Sequence, residues 1–161
     1  MRIRKATLED AKSMKEIADS FYFTLDDNLD RKSGFFEYKL ALEDYVRKLG
    51  EDSFSFVAED NEIMRGFCFA YLSDENFREV YINQFAVRNP GRTLEIRISD
   101  MLVSELIRDA KEKEISKLKF HISHSPWRNH ASINFAKKFG AVNIGEELKN
   151  GVVLGVYEIV L

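Results

Sequence analysis

The run NHASINFAKKFGA, residues 129–141, decides how the rest of this 161-residue chain is interpreted. Its spacing predicts a helix that begins at Asn129 and carries a core stripe of Ile133, Phe135 and Phe139. Gly140 follows as the helix terminator, because glycine adopts the left-handed turn that closes a helix at little cost.

Working outward from this helix, apolar periodicity and turn residues predict the order β-α-α-β-β-β-α-β-α-β-β. The predicted strands cover residues 2–6, 54–58, 65–72, 79–87, 117–123, 142–144 and 152–161, and the helices cover 8–21, 41–49, 98–110 and 129–139. No linker or internal repeat divides the chain. We therefore expect one domain, residues 1–161, of the α/β (α+β) class, with a mixed central sheet flanked by helices on both faces.

Composition narrows the partners and the compartment. A net charge of −3 gives no reason to expect a nucleic-acid partner, which usually requires a basic surface. The charged N-terminus lacks a following apolar segment, and no apolar run approaches a membrane span, so we expect a cytoplasmic protein without a membrane partner. Cys68 is the single cysteine, which favours a reducing compartment. Its apolar surroundings favour a buried structural thiol over a nucleophile.

The element order and the run 129–141 together resemble the GNAT superfamily of acyl-CoA-dependent N-acyltransferases. The last helix of that family typically reads N-x-x-A-x-x-φ-Y-x-K-x-G-F, and Asn129, Ser132, Lys138 and Gly140 fall in place. Residues 98–107 resemble the family's cofactor-binding helix, and residues 81–87 its pantetheine-binding strand. The resemblance covers nearly the whole chain, although the N-terminal half matches in element order alone, and it identifies no subfamily.

The resemblance implies an N-acetyltransferase that moves an acetyl group from acetyl-CoA to a primary amine of a small molecule or peptide. The amine attacks the thioester directly in a ternary complex. The start of a helix suits the coenzyme's pyrophosphate because its first N–H groups are unpaired. The cofactor-binding residues carried over are Phe85, Ala86, Val87, Arg92, Arg97, Ile98, Ser99, Asn129, Ser132, Phe135 and Lys138. The family also allows a homodimer through the C-terminal strands.

The phosphate loop departs from the family pattern. It is predicted to run from Arg92 to Ser99, about two residues longer than usual, and both family glycines are absent. Glycine lets the backbone approach phosphates without a Cβ in the way. Glu95 adds a negative charge, for which Arg92 and Arg97 compensate as direct phosphate ligands in the simplest interpretation.

The family's proton-transfer groups are also missing. The tyrosine that protonates the leaving thiolate would fall at Ala136, and the strand glutamate that acts as base would fall at Asn83. The catalytic candidates are therefore Asn83, which occupies the glutamate position, and the histidines His121 and His124. Either histidine could act as the base, because imidazole titrates near neutrality. The alternative for both histidines is a solvated position at a strand end. Glu79 is another candidate base, and the favoured interpretation makes it a surface charge.

Several alternatives stay open. Trp127 either covers the cofactor cleft or packs as a staple before the last helix. The aromatic residues Phe21, Tyr22, Phe23, Phe35, Phe36 and Tyr38 around an acidic loop at 26–30 form either an acceptor wall or part of the core. The three histidines match no metal-ligand spacing, so no metal is expected. Loss of the family's catalytic groups permits a degenerate coenzyme-binding or regulatory module, and a chance match permits an unrelated α+β domain.

Overall fold

The computed structural model describes residues 1–21, 39–50, 53–73, 76–88 and 93–161, with the backbone alone described for 93–97. The predicted element order is confirmed. The strands are β1 Arg2–Lys5, β2 Phe56–Asp60, β3 Ile63–Leu72, β4 Glu79–Val87, β5 Lys117–Ser125, β6 Val142–Lys149 and β7 Val152–Val160. The helices are α1 Ala11–Ser20, α2 Leu42–Lys48, α3 Thr93–Glu112 and α4 His130–Lys138, and a 3-10 turn at Leu8–Asp10 leads into α1.

All seven strands form one mixed sheet in the order β1-β2-β3-β4-β5-β7-β6. The pair β4–β5 is parallel, and the other neighbouring strands are antiparallel. Apolar side chains of α3 and α4, including Leu102 and Ile133, pack with Leu118 on one face. Met14 of α1 and Tyr45 of α2 pack in a second cluster on the opposite face. The predicted α/β class, with helices on both faces, is confirmed.

The N-terminal strand is tied to α1 through Asp10, a buried carboxylate. Arg4 donates to both of its oxygens at 2.8 and 2.9 Å, and the Thr7 backbone N–H donates at 2.7 Å. Burial alone would raise the pKa of Asp10, but the hydrogen bonds from Arg4 and Thr7 outweigh it and hold the pKa below its ordinary value. This junction fixes where α1 leaves the sheet.

β4 and β5 pair over a short stretch and then separate, which leaves a gap between them. Their register covers Glu79 to Ile82 against Lys117 to Phe120, and then the two strands separate. β4 continues to Val87 while pairing with β3. A bulge places Asn83 between the paired positions Ile82 and Gln84, which bends β4 away from β5. The sheet therefore has an opening at its centre.

Three sequence predictions need correction. The predicted loop from Arg92 to Ser99 is wrong from residue 93 onward, because Thr93 already begins α3. Without glycine or proline after Gly91, nothing in that segment interrupts a helix. β6 extends to Lys149 instead of ending at residue 144. Glu79 is 6% exposed and lies 3.4 Å from Lys117, so it is a buried ion-pair member instead of a surface charge.

Candidate active site

A cavity of about 170 Å³ lies at the gap between β4 and β5. Both diverging strands line it, together with α4 over its whole length and parts of α3, β6 and β7. Its walls are formed by Tyr81, Ile82, Asn83, Gln84, Phe85, Val103, Phe120, His121, Ile122, Ser123, Asn129, Ser132, Phe135, Ala136, Phe139, Glu147, Lys149, Leu154 and Ile159. Because the strands separate here, the cavity is lined from both faces of the sheet.

The two faces differ in chemistry. Directly paired residues of neighbouring strands share a face, so the register assigns each lining residue to one side. The side of α1 and α2 carries Tyr81, Gln84, His121, Ser123, Glu147, Lys149 and Leu154. The side of α3 and α4 carries Ile82, Phe85, Phe120, Ile122 and Ile159, over which the helical residues Val103, Phe135, Ala136 and Phe139 lie. One wall is polar and the other is largely apolar.

His121 stands at the centre of the polar wall and joins three strands. Its Nδ1 lies 2.8 Å from the Tyr81 hydroxyl on β4, and its Nε2 lies 3.0 Å from a Glu147 carboxylate oxygen on β6. An ionised carboxylate accepts hydrogen bonds only, so Nε2–H of neutral His121 donates to Glu147. Nδ1 then accepts the Tyr81 O–H. This tautomer leaves a basic nitrogen directed at a hydroxyl that lines the cavity.

The surroundings keep His121 neutral at physiological pH. Burial lowers its pKa from the ordinary 6.5, and this effect exceeds the opposing influence of Glu147. Lys119 and Lys149 lower the pKa further by charge repulsion. A neutral imidazole in contact with a tyrosine hydroxyl can accept a proton through that hydroxyl.

Asn83, the second catalytic candidate, lines the same cavity but does not titrate. Its amide nitrogen donates to the Tyr71 hydroxyl at 2.8 Å. The Tyr71 ring in turn lies 6.0 Å from the Tyr81 ring. Asn83 thus shapes the wall beside Tyr81 through the bulge and one hydrogen bond.

His124, the third candidate, lies outside the cavity lining. Its Nε2 is 2.7 Å from the Tyr157 hydroxyl, and its Nδ1 is 3.6 Å from a Glu146 oxygen. Tyr157 pairs with Phe120, which places this contact on the face opposite His121. The ring packs over Gly155, where any added Cβ would collide with it. The structure therefore separates the two histidines.

α4 borders the apolar wall, and four predicted cofactor residues lie on this helix or at its N-cap. Asn129 caps the helix by accepting the Ser132 backbone N–H at 3.0 Å, and both residues line the cavity. Phe135 stacks on Phe85 with ring centroids 5.6 Å apart. Lys138 lies farther along and pairs with Asp100 at 2.6 Å, outside the lining.

The remaining predicted cofactor residues flank the cavity or lie beyond the described part. Ala86 and Val87 continue β4 past the cavity, and Ile98 is 2% exposed in the core at the second turn of α3. Ser99 follows with a half-buried side chain. Arg92 and the side chain of Arg97 are outside the described residues, as is most of the aromatic group predicted between positions 21 and 38.

The positions of other candidate residues bear on the remaining sequence alternatives. Trp127 does not line the cavity. Cys68 is fully buried, and burial raises the pKa of its thiol to about 12, which favours a structural thiol over a nucleophile. Within the described residues no group of three His, Cys, Asp or Glu side chains forms a metal site. None of the described helices combines the length and the apolarity of a membrane span.

Sequence reasoning missed Tyr81 and Glu147. The alternation of side chains along β4 could have identified Tyr81. It places Tyr81 on the same face of the sheet as His121 of the neighbouring strand β5. Glu147 had no local signal, because β6 was predicted to end three residues earlier. Its contact with His121 depends on β7 lying between β5 and β6.

Comparison with known proteins identifies the fold. No family model matches the chain, and no curated protein matches it. Among solved structures, the ribosomal-protein-S18-alanine N-acetyltransferase from Escherichia coli has a TM-score of 0.73 at 14% identity, over 99% of this chain and 92% of that one. Naa50 from Arabidopsis thaliana, in complex with the bisubstrate analogue CoA-Ac-MVNAL, has 0.68 at 18%, over 98% and 96%. The putative acetyltransferase yncA from Salmonella typhimurium, with its cofactor acetyl-CoA, has 0.69 at 17%, over 100% and 94%.

The class that these likenesses define is that of the N-acetyltransferase folds. More narrowly, the chain has the GNAT fold, with its β4–β5 gap, over nearly its full length. The resemblance expected from residues 129–141 is thus confirmed at the level of the fold.

Proposed function

We propose that this protein, as a single domain of residues 1–161, transfers an acyl group, acetyl in the simplest case, from acyl-CoA to a primary amine. The observation that carries the proposal is the cavity at the strand gap, which presents a polar wall to one side of the sheet and an apolar wall to the other. Two substrates can therefore meet from opposite faces. The acetyl-CoA bound to yncA and the bisubstrate analogue bound to Naa50 support this assignment.

The coenzyme would lie on the side of α3 and α4. From Asn83 onward β4 pairs with β3 alone among the described strands, so the backbone of Phe85 to Val87 offers an edge to the pantetheine amides. Asn129 and Ser132 border the same path. The first turn of α3 would receive the pyrophosphate because a helix start favours anions. Arg92, Arg97 and Ser99, which are close to this turn in the sequence, are the proposed phosphate ligands.

The amine would approach from the polar wall. Its nitrogen attacks the thioester carbonyl carbon, a C–N bond forms, the C–S bond breaks, and the coenzyme thiolate leaves with the bonding pair. The ammonium proton passes to the Tyr81 oxygen while Tyr81 gives its own proton to Nδ1 of His121. Glu147 holds the imidazole in the required tautomer. The thiolate needs no acid from Ala136, since it is a stable anion that takes its proton from water.

Calorimetric titration with acetyl-CoA, followed by thiol release with a panel of primary amines, tests this proposal. We expect saturable binding and turnover that depends on both substrates. The absence of binding at millimolar acetyl-CoA would overturn the proposal. Binding without turnover on peptide and small-molecule amines would favour the degenerate coenzyme-binding module instead.

A further inference from the structure

We infer that the acyl group carried by this protein is longer than acetyl, with a butyryl-sized chain preferred. The inference rests on the proposed acyl transfer and names its donor more closely. It comes from the part of the cavity that neither the coenzyme arm nor the proton-transfer residues use. We define this part as the apolar compartment, formed by Val103, Ile122, Ala136, Phe139 and Ile159.

The apolar compartment lies between the sheet and two helices. Val103 comes from α3, Ala136 from α4, Phe139 from the C-cap of α4, Ile122 from β5 and Ile159 from β7. Val103, Ile122, Ala136 and Ile159 are each 6% exposed. All five residues line the cavity, and all but Val103 also pack in the core cluster on this face of the sheet. No polar side chain is among them, so the compartment suits hydrocarbon and offers nothing to a charged or hydrogen-bonding group.

Its position relative to the gap fits an acyl chain. The coenzyme arm is expected along β4, at Phe85, and at the start of α4, whereas the apolar compartment is bounded by α3, the end of α4, β5 and β7. A thioester carbonyl placed at the gap, within reach of the polar wall at Tyr81, directs its alkyl chain away from the arm. The apolar compartment is the space that this chain enters.

Ala136 sets the room available. It is the smallest side chain of the apolar compartment, and it lines the cavity from the buried face of α4. A larger apolar residue there would occupy the space of the added methylenes. The chemistry at the carbonyl is unchanged by chain length, since the same C–N bond forms and the same C–S bond breaks.

The test compares acetyl-CoA with butyryl-CoA in binding and in kcat/KM with one amine acceptor. Burying two more methylenes predicts about 15-fold tighter binding of butyryl-CoA, because each buried methylene contributes about fourfold. Ala136→Leu should bring the butyryl-to-acetyl ratio of kcat/KM close to one. Val103→Phe, which narrows the apolar compartment from α3, should lower the same ratio.

Ala131→Leu is the matched control, because residue 131 is exposed on the same helix and receives the same added carbons. It should keep the wild-type ratio, and thermal unfolding of all variants reports whether they are folded. A butyryl-to-acetyl ratio of one or less in the wild type overturns the inference while leaving acyl transfer standing. Failure of both thioesters to bind overturns the proposed function as well.

Discussion

Two histidines three residues apart on β5 have nearly the same contacts and different surroundings. His121 lies between the Tyr81 hydroxyl and Glu147, and His124 lies between the Tyr157 hydroxyl and Glu146. The former faces the cavity, whereas the latter packs over Gly155 on the opposite side of the sheet. A histidine with a tyrosine and a glutamate is therefore not a catalytic site by itself. Access to a substrate makes the difference.

Replacing each histidine in turn gives the strongest test of this comparison. His121→Asn should lower kcat by about 100- to 10,000-fold, because it removes the group that accepts the amine proton. The KM for acyl-CoA should change little, since the proposed coenzyme path lies on the other face. His124→Asn should keep kcat near the wild-type value. Thiol release under saturating substrates measures both, and equal losses in the two variants would refute the separation.

Glu147→Gln should have the next largest effect, about tenfold on kcat, through loss of a charged hydrogen bond that orients His121. The pH profile of this variant tests the direction in which Glu147 shifts the pKa of His121. In the proposed mechanism neutral His121 is the active form, so activity should fall as pH drops through its pKa. Glu147 raises that pKa against burial and the charges of Lys119 and Lys149, so removing it lowers the pKa.

The acid limb of kcat/KM should therefore move to lower pH in Glu147→Gln. Glu146→Gln is the matched control on the neighbouring position of β6 and should leave the limb in place. A limb that moves to higher pH, or that moves equally in both variants, would contradict the role given to Glu147.

Gly155→Ala probes the other histidine through stability. An added Cβ would collide with the His124 ring and the Tyr157 ring, and such overpacking costs about 2 kcal/mol. Urea denaturation should show this loss in the free energy of unfolding, while kcat per folded molecule stays constant. In the double variant with His124→Ala the cost should be smaller. Strict additivity of the two losses would show that the ring contact is not responsible.

Tyr157→Phe should have the smallest effect, about 1 kcal/mol of stability, because it removes one hydroxyl hydrogen bond to His124 and keeps the ring. Turnover should be unchanged. Thermal unfolding together with a single kinetic assay measures both quantities. A loss of turnover in this variant would show that residues on the face of His124 also take part in the reaction, which would contradict the separation of the two histidines.

The sequence predicted the parts of the molecule that depend on neighbouring residues. The run 129–141 encodes the cap at Asn129, the apolar stripe and the left-handed Gly140, so α4 was found with its ends. Alternation along β5 also held enough information to separate the histidines, because an odd spacing of three places them on opposite faces. The choice of both histidines as catalytic candidates overlooked this periodicity.

The rest of the site depends on pairing between distant segments. The contact of Glu147 with His121 requires β6 to lie outside β7, and the bulge at Asn83 is defined only by the register with β3. The expected phosphate loop failed for another reason. It was taken from a family pattern although residues 93–98 carry no helix-breaking residue, and the local preference for helix decided the outcome.

The short joint between β4 and β5 has a thermodynamic consequence. Four register pairs join β4 to β5, and among the described strands β4 pairs with β3 alone from Phe85 to Val87, so a ligand bound along this edge would act as a missing strand. Its binding free energy then adds to the stability of the fold, by about 2.7 kcal/mol at a hundredfold excess over Kd. Amide hydrogen exchange along this edge would slow on saturation. Ligand occupancy could therefore be measured through the cooperativity of unfolding between the strands β1–β4 and the strands β5–β7.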